Sequence, residues 1–180
     1  MRTRKHIETV LFLLMYCGLS AGPLAGQDVI RPLSPQLDNV TVDPVTGFAL
    51  LRWLPSPSPD VGSYVVYTYS GGTASAIDTI RSPYIHEYTH TASAARYRSV
   101  TYVVAAIDSS MNISPLSNSL STIWISAVND VCTGSVTVTW TPYENQFHPG
   151  SSYVLHISAG EVNTLPDVTI PVSETQYIFT

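Results

Sequence analysis

HEYTH (86–90) is the five-residue stretch on which the fold turns. Wound as a helix, it would place His86 and His90 one turn apart on one face, ~6 Å from each other, with Glu87 beside a bound water; that is the zinc-protease arrangement H-E-x-x-H. Drawn out as a strand, it would hold the same histidines ~13 Å apart, too far to share an ion. The neighbourhood favours the strand. SPYIHEYT (82–89) puts a proline upstream and β-branched and aromatic residues on both sides. No H-x-x-G-x-x-H continuation follows His90, and the distant acids Glu144 and Glu161 fall in another part of the chain. The stretch is therefore expected to be a surface strand carrying two solvated histidines. No catalytic, cofactor or metal residue is assigned, and the chain is not read as an enzyme.

Outward from this point, the sequence keeps the same character. TGFALLRWL (46–54), SYVVYTY (63–69), SVTYVVAAI (99–107), STIWISAV (121–128), GSVTVTW (134–140), SYVLHIS (152–158) and QYIFT (176–180) are rich in β-branched and aromatic residues that alternate with Ser and Thr. Turn signals separate them: PSPSPD (55–60), SGG (70–72), DSSMN (108–112) and FHPG (147–150). The only helix-tolerant piece, THTASAAR (89–96), is too short and polar to pack as a helix. Many short strands with regular turns predict an all-β sandwich.

The chain also repeats. RWLP (52–55) is followed by SYVVYT, and TWTP (139–142) by SYVLHI, while PYIHEYT (83–89) has a counterpart in QYIFT. Trp53 and Trp140 stand 87 residues apart, the length of one small sandwich. One complete domain is expected over 33–123. A second, over 124–180, has reached only its fourth or fifth strand by Thr180, so the chain is read as part of a longer product. The predicted core comprises Trp53, Tyr64, Val66, Tyr102, Val104 and Ala106 in the first unit, and Trp140 and Tyr153 in the second. Val65, Tyr67 and Tyr69 lie on the opposite face of their strand, as a possible partner face.

The first residues read as an address. A basic start (Arg2, Arg4, Lys5) precedes the apolar VLFLLMYC (10–17) and the small residues of GLSAGPLAG (18–26), the order of a secretory signal peptide. The apolar run falls short of the ~20 residues that span a bilayer. The expected division is a signal peptide over 1–26 and a linker over 27–32, with no integral membrane span after cleavage. The whole chain carries a net charge of −5; without Arg2, Arg4, Lys5 and Glu8 it would carry −7 and no lysine. Such a surface cannot neutralise a run of phosphates, so nucleic acid is excluded as a partner, and anionic membrane surfaces are disfavoured. Cys132 is then the one remaining cysteine, leaving no intramolecular disulfide.

Trp53 on an early strand, SYVVY, and YVVAAID (102–108) followed by SPLSN (114–118) together resemble fibronectin type III domains. The resemblance implies an immunoglobulin-like β-sandwich, one complete copy and a truncated second, in which the Trp packs between the sheets. It further implies that Tyr102, leading the Y-x-V-x-A pattern with Val104 and Ala106, buries its ring and bonds its hydroxyl to nearby backbone. AIDSSMNISPLSNSLSTIWISAVNDVCTGSVTVTWTPYE (106–144) looks like tandem modules of Bacteroidetes surface proteins associated with gliding motility and type IX secretion. In that group the turn reads D-S-C-G-N and its cysteine can pair with one opening the next domain. Here Ser110 and Met111 occupy the turn, so Cys132 lacks that mate.

Other chemistry is sparse. There is no G-x-S-x-G elbow, no phosphate loop, no Cys–His pairing near Cys132 and no R-G-D. Asp108 and Asp130 sit at turns, where a carboxylate caps backbone N–H groups; a calcium role is disfavoured for Asp108 because no carboxylates cluster around it. DTI (78–80) resembles a Bacteroidetes O-glycosylation acceptor and would place Thr79 on an exposed turn. NVT (39–41) and NIS (112–114) match the N-glycosylation sequon. The functional expectation is a non-catalytic structural or interaction module, a spacer or adhesion-type tandem of a secreted or cell-surface bacterial protein. Its partner would be a protein or a surface glycan. The alternative is a set of ancillary modules of a secreted hydrolase whose catalytic domain lies outside the chain.

Overall fold

The computed structural model describes residues 28–146, 150, 152–159, 163–164 and 166–180. The expected signal peptide and the first linker residue lie outside the described residues. The first seven strands are β1 (Gln36–Val42), β2 (Ala49–Leu54), β3 (Val61–Ser70), β4 (Thr73–Ile80), β5 (Glu87–His90), β6 (Thr101–Asp108) and β7 (Leu120–Ser121). They form two antiparallel sheets, β1-β2-β5 and β4-β3-β6-β7. The chain changes sheet between β2 and β3, again between β4 and β5, and once more before β6. In an antiparallel sheet alternate residues point to opposite faces, and each of the two sheets turns one apolar face toward the other. Leu37, Val40, Leu51 and Trp53 from one sheet meet Tyr64, Val66, Tyr102, Val104, Ala106 and Leu120 from the other in a single buried cluster.

HEYTH is extended. Its last four residues are β5, paired antiparallel with β2 through Arg52↔Glu87, Leu51↔Tyr88, Leu50↔Thr89 and Ala49↔His90. The β3–β4 hairpin closes through Gly71 and Gly72, both at positive φ (55° and 81°). A two-residue hairpin turn of type I′ needs that conformation at both positions, and SGGT supplies two glycines. Thr79, expected on a turn, instead lies within β4 opposite Val65, because the hairpin turns at Gly71–Gly72 and the chain returns as a full strand through 73–80.

The remaining strands are β8 (Ile125–Asp130), β9 (Ser135–Trp140), β10 (Ser152–Leu155), β11 (Ser158–Ala159), β12 (Asn163–Thr164), β13 (Val168–Pro171) and β14 (Gln176–Phe179). They pair as β14-β9-β8, β10-β13 and β11-β12. Val138, Trp140 and Ile170 form the buried centre of this second unit, flanked by half-buried Tyr153, Leu155, Tyr177 and Phe179.

The repeat holds in detail. The Asp43 carboxylate accepts the N–H groups of Val45 and Thr46, and that of Asp130 accepts those of Cys132 and Thr133. The backbone N–H of Trp53 donates to His86 O and that of Trp140 to Thr175 O, both at 3.0 Å. The Trp53–Tyr64 ring centroids are 5.6 Å apart at 61°, and those of Trp140 and Tyr153 are 5.5 Å apart at 70°. The tyrosine hydroxyls accept corresponding N–H groups, Ser56 to Tyr64 and Tyr143 to Tyr153. β8, β9, β10 and β14 therefore repeat β1, β2, β3 and β5.

Candidate functional site

The two histidines are half-buried rather than solvated, and each has its own partner. His86 Nε2 hydrogen-bonds Pro83 O at 2.8 Å, and its ring packs edge-on against Tyr64. His90 Nδ1 lies 3.0 Å from the Tyr102 hydroxyl, with its ring against those of Tyr102 and Tyr88. Burial pushes the His90 imidazole below its ordinary pKa. The extended backbone separates the two rings, which face different neighbours, so HEYTH binds strands together where the helical reading would have made a metal centre.

Tyr102 is fully buried. Its hydroxyl meets the Ser93 Oγ at 2.7 Å and His90 Nδ1 at 3.0 Å. The expectation of a backbone partner thus gives way to two side chains. The 91–100 connection brings Ser93 to the phenol at the start of β6. Ser93 Oγ also accepts Ala95 N–H, so one hydroxyl organises the connection. Burial raises the Tyr102 pKa, against the smaller opposing pull of the Ser93 hydrogen bond.

The other residues singled out in the sequence separate into two groups. Trp53, Tyr64, Val66, Val104 and Ala106 are buried in the inter-sheet cluster; Trp140 is buried in the second unit, with Tyr153 half-buried beside it. Val65, Tyr67 and Tyr69 share the outer face of β3, but Val65 is itself buried and the two tyrosines are half-buried. Cross-strand neighbours cover this stripe: Ala105, Val103 and Thr101 of β6 on one side, Thr79, Ala76 and Ala74 of β4 on the other. Thr79 is exposed.

Sequence reading missed an acidic cluster. Asp28, Asp60 and Asp108 each bring a carboxylate oxygen within 4.8 Å of the others, so the expectation that no carboxylates gather around Asp108 is corrected. They come from the N-terminal segment, the turn just before β3 and the end of β6, and only the fold joins them. Asp108 also performs the expected turn-capping. Its Oδ1 accepts the N–H groups of Ser110 and Asn112, and its Oδ2 accepts Asn112 Nδ2. Burial raises this carboxyl's pKa, but those three hydrogen bonds outweigh it and hold the group below the ordinary carboxylate range.

A second missed feature is the outer edge of β1. Asn118 Oδ1 accepts Leu37 N–H at 2.8 Å, and Asn118 Nδ2 donates to Leu37 O at 3.0 Å. The Tyr143 hydroxyl, from the second unit, accepts Val40 N–H at 2.8 Å. The phenol ring packs against the first core, and Asn118 Nδ2 also donates to Asn145 O at 3.1 Å. Side chains thus occupy backbone groups that an edge strand otherwise offers to any passing chain.

Three sheet crossings and a sealed inter-sheet core define an all-β, immunoglobulin-like sandwich, repeated in part. Among the solved structures with which the chain aligns are proteins described as fibronectin type III-like. A Fn3-like protein from Clostridium thermocellum is 28% identical over 52% of this chain and 93% of that chain, at a TM-score of 0.43. A β-1,2-glucanase from Parabacteroides distasonis is 22% identical over 53% of this chain and 13% of that chain, TM-score 0.41. The FN1–FN3 domains of chicken CNTN1 are 14% identical over 82% and 55%, TM-score 0.37. No protein-family model matches the chain, and no curated protein does.

Proposed function

We propose that the chain is a non-catalytic spacer and interaction segment of a secreted or cell-surface protein. The resemblance of 106–144 to Bacteroidetes surface modules supports a bacterial envelope protein exported by the type IX route. The observation that carries the spacer reading is the junction between the units. Tyr143 and Asn118 tie the second unit to the edge of β1, so two sandwiches in series are held at a set angle. Three hydroxyls of the first unit hold its own backbone in the same way. Ser114 Oγ, Ser117 Oγ and Thr122 Oγ1 accept the N–H groups of Ala106, Val104 and Val100, which fixes the segments flanking β7.

The test is a distance measurement. Val45 and the free, exposed Cys132 occupy equivalent turns of the two units. Spin labels on Cys132 and on Val45→Cys, in a Cys17→Ser background, are expected to give one narrow distance distribution that Tyr143→Ala broadens. A distribution already broad in the parent overturns the spacer reading, and turnover of a glycan or peptide by the purified chain overturns the non-catalytic one.

A further inference from the structure

Two arginines of the 91–100 connection, two residues apart, line different grooves. Arg96 lays its side-chain stem over Gly47 and borders the groove that holds Val42 and Pro44. Arg98 instead enters a separate cleft, where the connection runs into β6 beside the end of β3. This cleft has a volume of about 210 Å³ and is lined by Thr68, Tyr69, Ser70, Arg98, Ser99 and Thr101. All six belong to the first unit, and the strands that carry them are paired on both sides: β3 with β4 and β6, and β6 with β3 and β7.

The lining carries a single charge. The chain has 13 acidic residues against 8 basic ones, yet no carboxylate lines the cleft and the Arg98 guanidinium does. Among the described residues that guanidinium makes no ion pair, whereas Arg52 is engaged by Glu87. Hydroxyls surround it. Ser99 Oγ donates to Thr122 O at 2.6 Å, and Thr101 Oγ1 meets Ser121 Oγ at 2.7 Å, so both are held in place with lone pairs still open. Half-buried Tyr69 and exposed Ser70 add two hydroxyls that have no partner among the described residues.

We propose that this cleft binds one carboxylated sugar ring, a uronate unit of an acidic glycan, with its carboxylate on Arg98. A guanidinium takes a carboxylate through two parallel N–H···O bonds. The ring hydroxyls of the sugar donate to the open lone pairs of Ser99 and Thr101 and exchange hydrogen bonds with Ser70. The Tyr69 phenol supplies an apolar surface for the sugar's C–H groups together with a polar tip. Sites for drug-sized ligands begin near ~300 Å³; this cleft is smaller and matches a single ring. An extended acidic peptide fits less well, because β3 and β6 already commit their main-chain groups to neighbours and leave no ladder for a further strand. The proposal rests on the interaction reading given above and deepens it by naming the partner's chemistry.

The probes are methyl β-D-glucuronide, the neutral methyl β-D-glucoside, and N-acetylglutamic acid α-amide, which carries the carboxylate without the sugar. Titrated into the isotope-labelled intact chain, the glucuronide is expected to shift the amide resonances of residues 68–70 and 98–101 saturably, and to bind more tightly than either of the other two. Arg98→Ala should weaken it by about tenfold or more, and Arg98→Lys, which keeps the charge and loses the planar fork, should fall between. Arg96→Ala makes the same change of charge in the other groove and should leave the affinity unchanged to within about twofold. No saturable shift at those amides, binding of the glucoside as tight as that of the glucuronide, or equal losses in the two alanine variants overturns the proposal. Binding of the glutamate derivative as tight as that of the glucuronide overturns it as well and assigns the cleft to an acidic peptide. The junction measurement does not involve this cleft, so failure here leaves the spacer reading in place.

Discussion

Tyr102→Phe isolates one hydroxyl in a fully buried ring. The phenyl keeps its place between the sheets, so no cavity opens, and the substitution removes only the contacts at 2.7 Å to Ser93 Oγ and 3.0 Å to His90 Nδ1. Each such hydrogen bond contributes about 1 kcal/mol net, and half-buried His90 recovers part of its share from water, so the expected loss is about 1–2 kcal/mol. In a sandwich of this size that lowers Tm by roughly 5–15 °C. Calorimetry of the parent, Tyr102→Phe, Ser93→Ala and the double variant closes a cycle. Because the two hydroxyls share a hydrogen bond, a coupling of at least ~0.5 kcal/mol is expected. Unfolding of Tyr102→Phe within experimental error of the parent, or strict additivity of the pair, refutes the reasoning.

Three further outcomes follow from the same geometry. Asn118→Ala strips both partners from buried Leu37, and urea unfolding should show a loss of about 2–4 kcal/mol, with exchange at the start of β1 accelerated first. Burial depresses the His90 pKa, so unfolded chains bind a proton at higher pH than folded ones do. His90 then subtracts nothing above pH 6.5 and costs stability progressively as pH falls from there toward its folded value; His90→Gln should flatten that part of the stability profile read by denaturant titration. Trp53→Ala should cost about 3–5 kcal/mol, and Trp140→Ala distinctly less, because Trp140 is flanked by half-buried residues that can close in; equal losses in calorimetry would contradict the difference in packing.

Several strands legible in the sequence owe that to aromatic and β-branched residues that enter a core. β2, β3, β6 and β9 carry tryptophan, tyrosine and valine at period two, and each packs in a core. β1 escaped notice for a specific reason: a bulge between Leu37 and Asn39 puts its buried residues, Leu37 and Val40, three apart, so QLDNVTV shows no alternation. β4 and β13 lie at sheet edges, where burial imposes little pattern. At the level of sites, HEYTH was legible as a strand from its own neighbours. The two side-chain partners of Tyr102, the gathering of Asp28 and Asp60 around Asp108, and the pairing of Asn118 with Leu37 were not. Each joins residues far apart in the chain, and no local spacing encodes them.

The Tyr143 hydroxyl on Val40 N–H means that the first sandwich borrows part of its outer fence from its neighbour. As the polypeptide is made, β1 has its cross-strand partner long before residue 143 exists, and in that interval one of its donors stands unguarded. At this junction the follower closes a gate left open by its predecessor. Cutting the series at the wrong place would create a flank that sticks to itself, even though every strand of the severed piece is present.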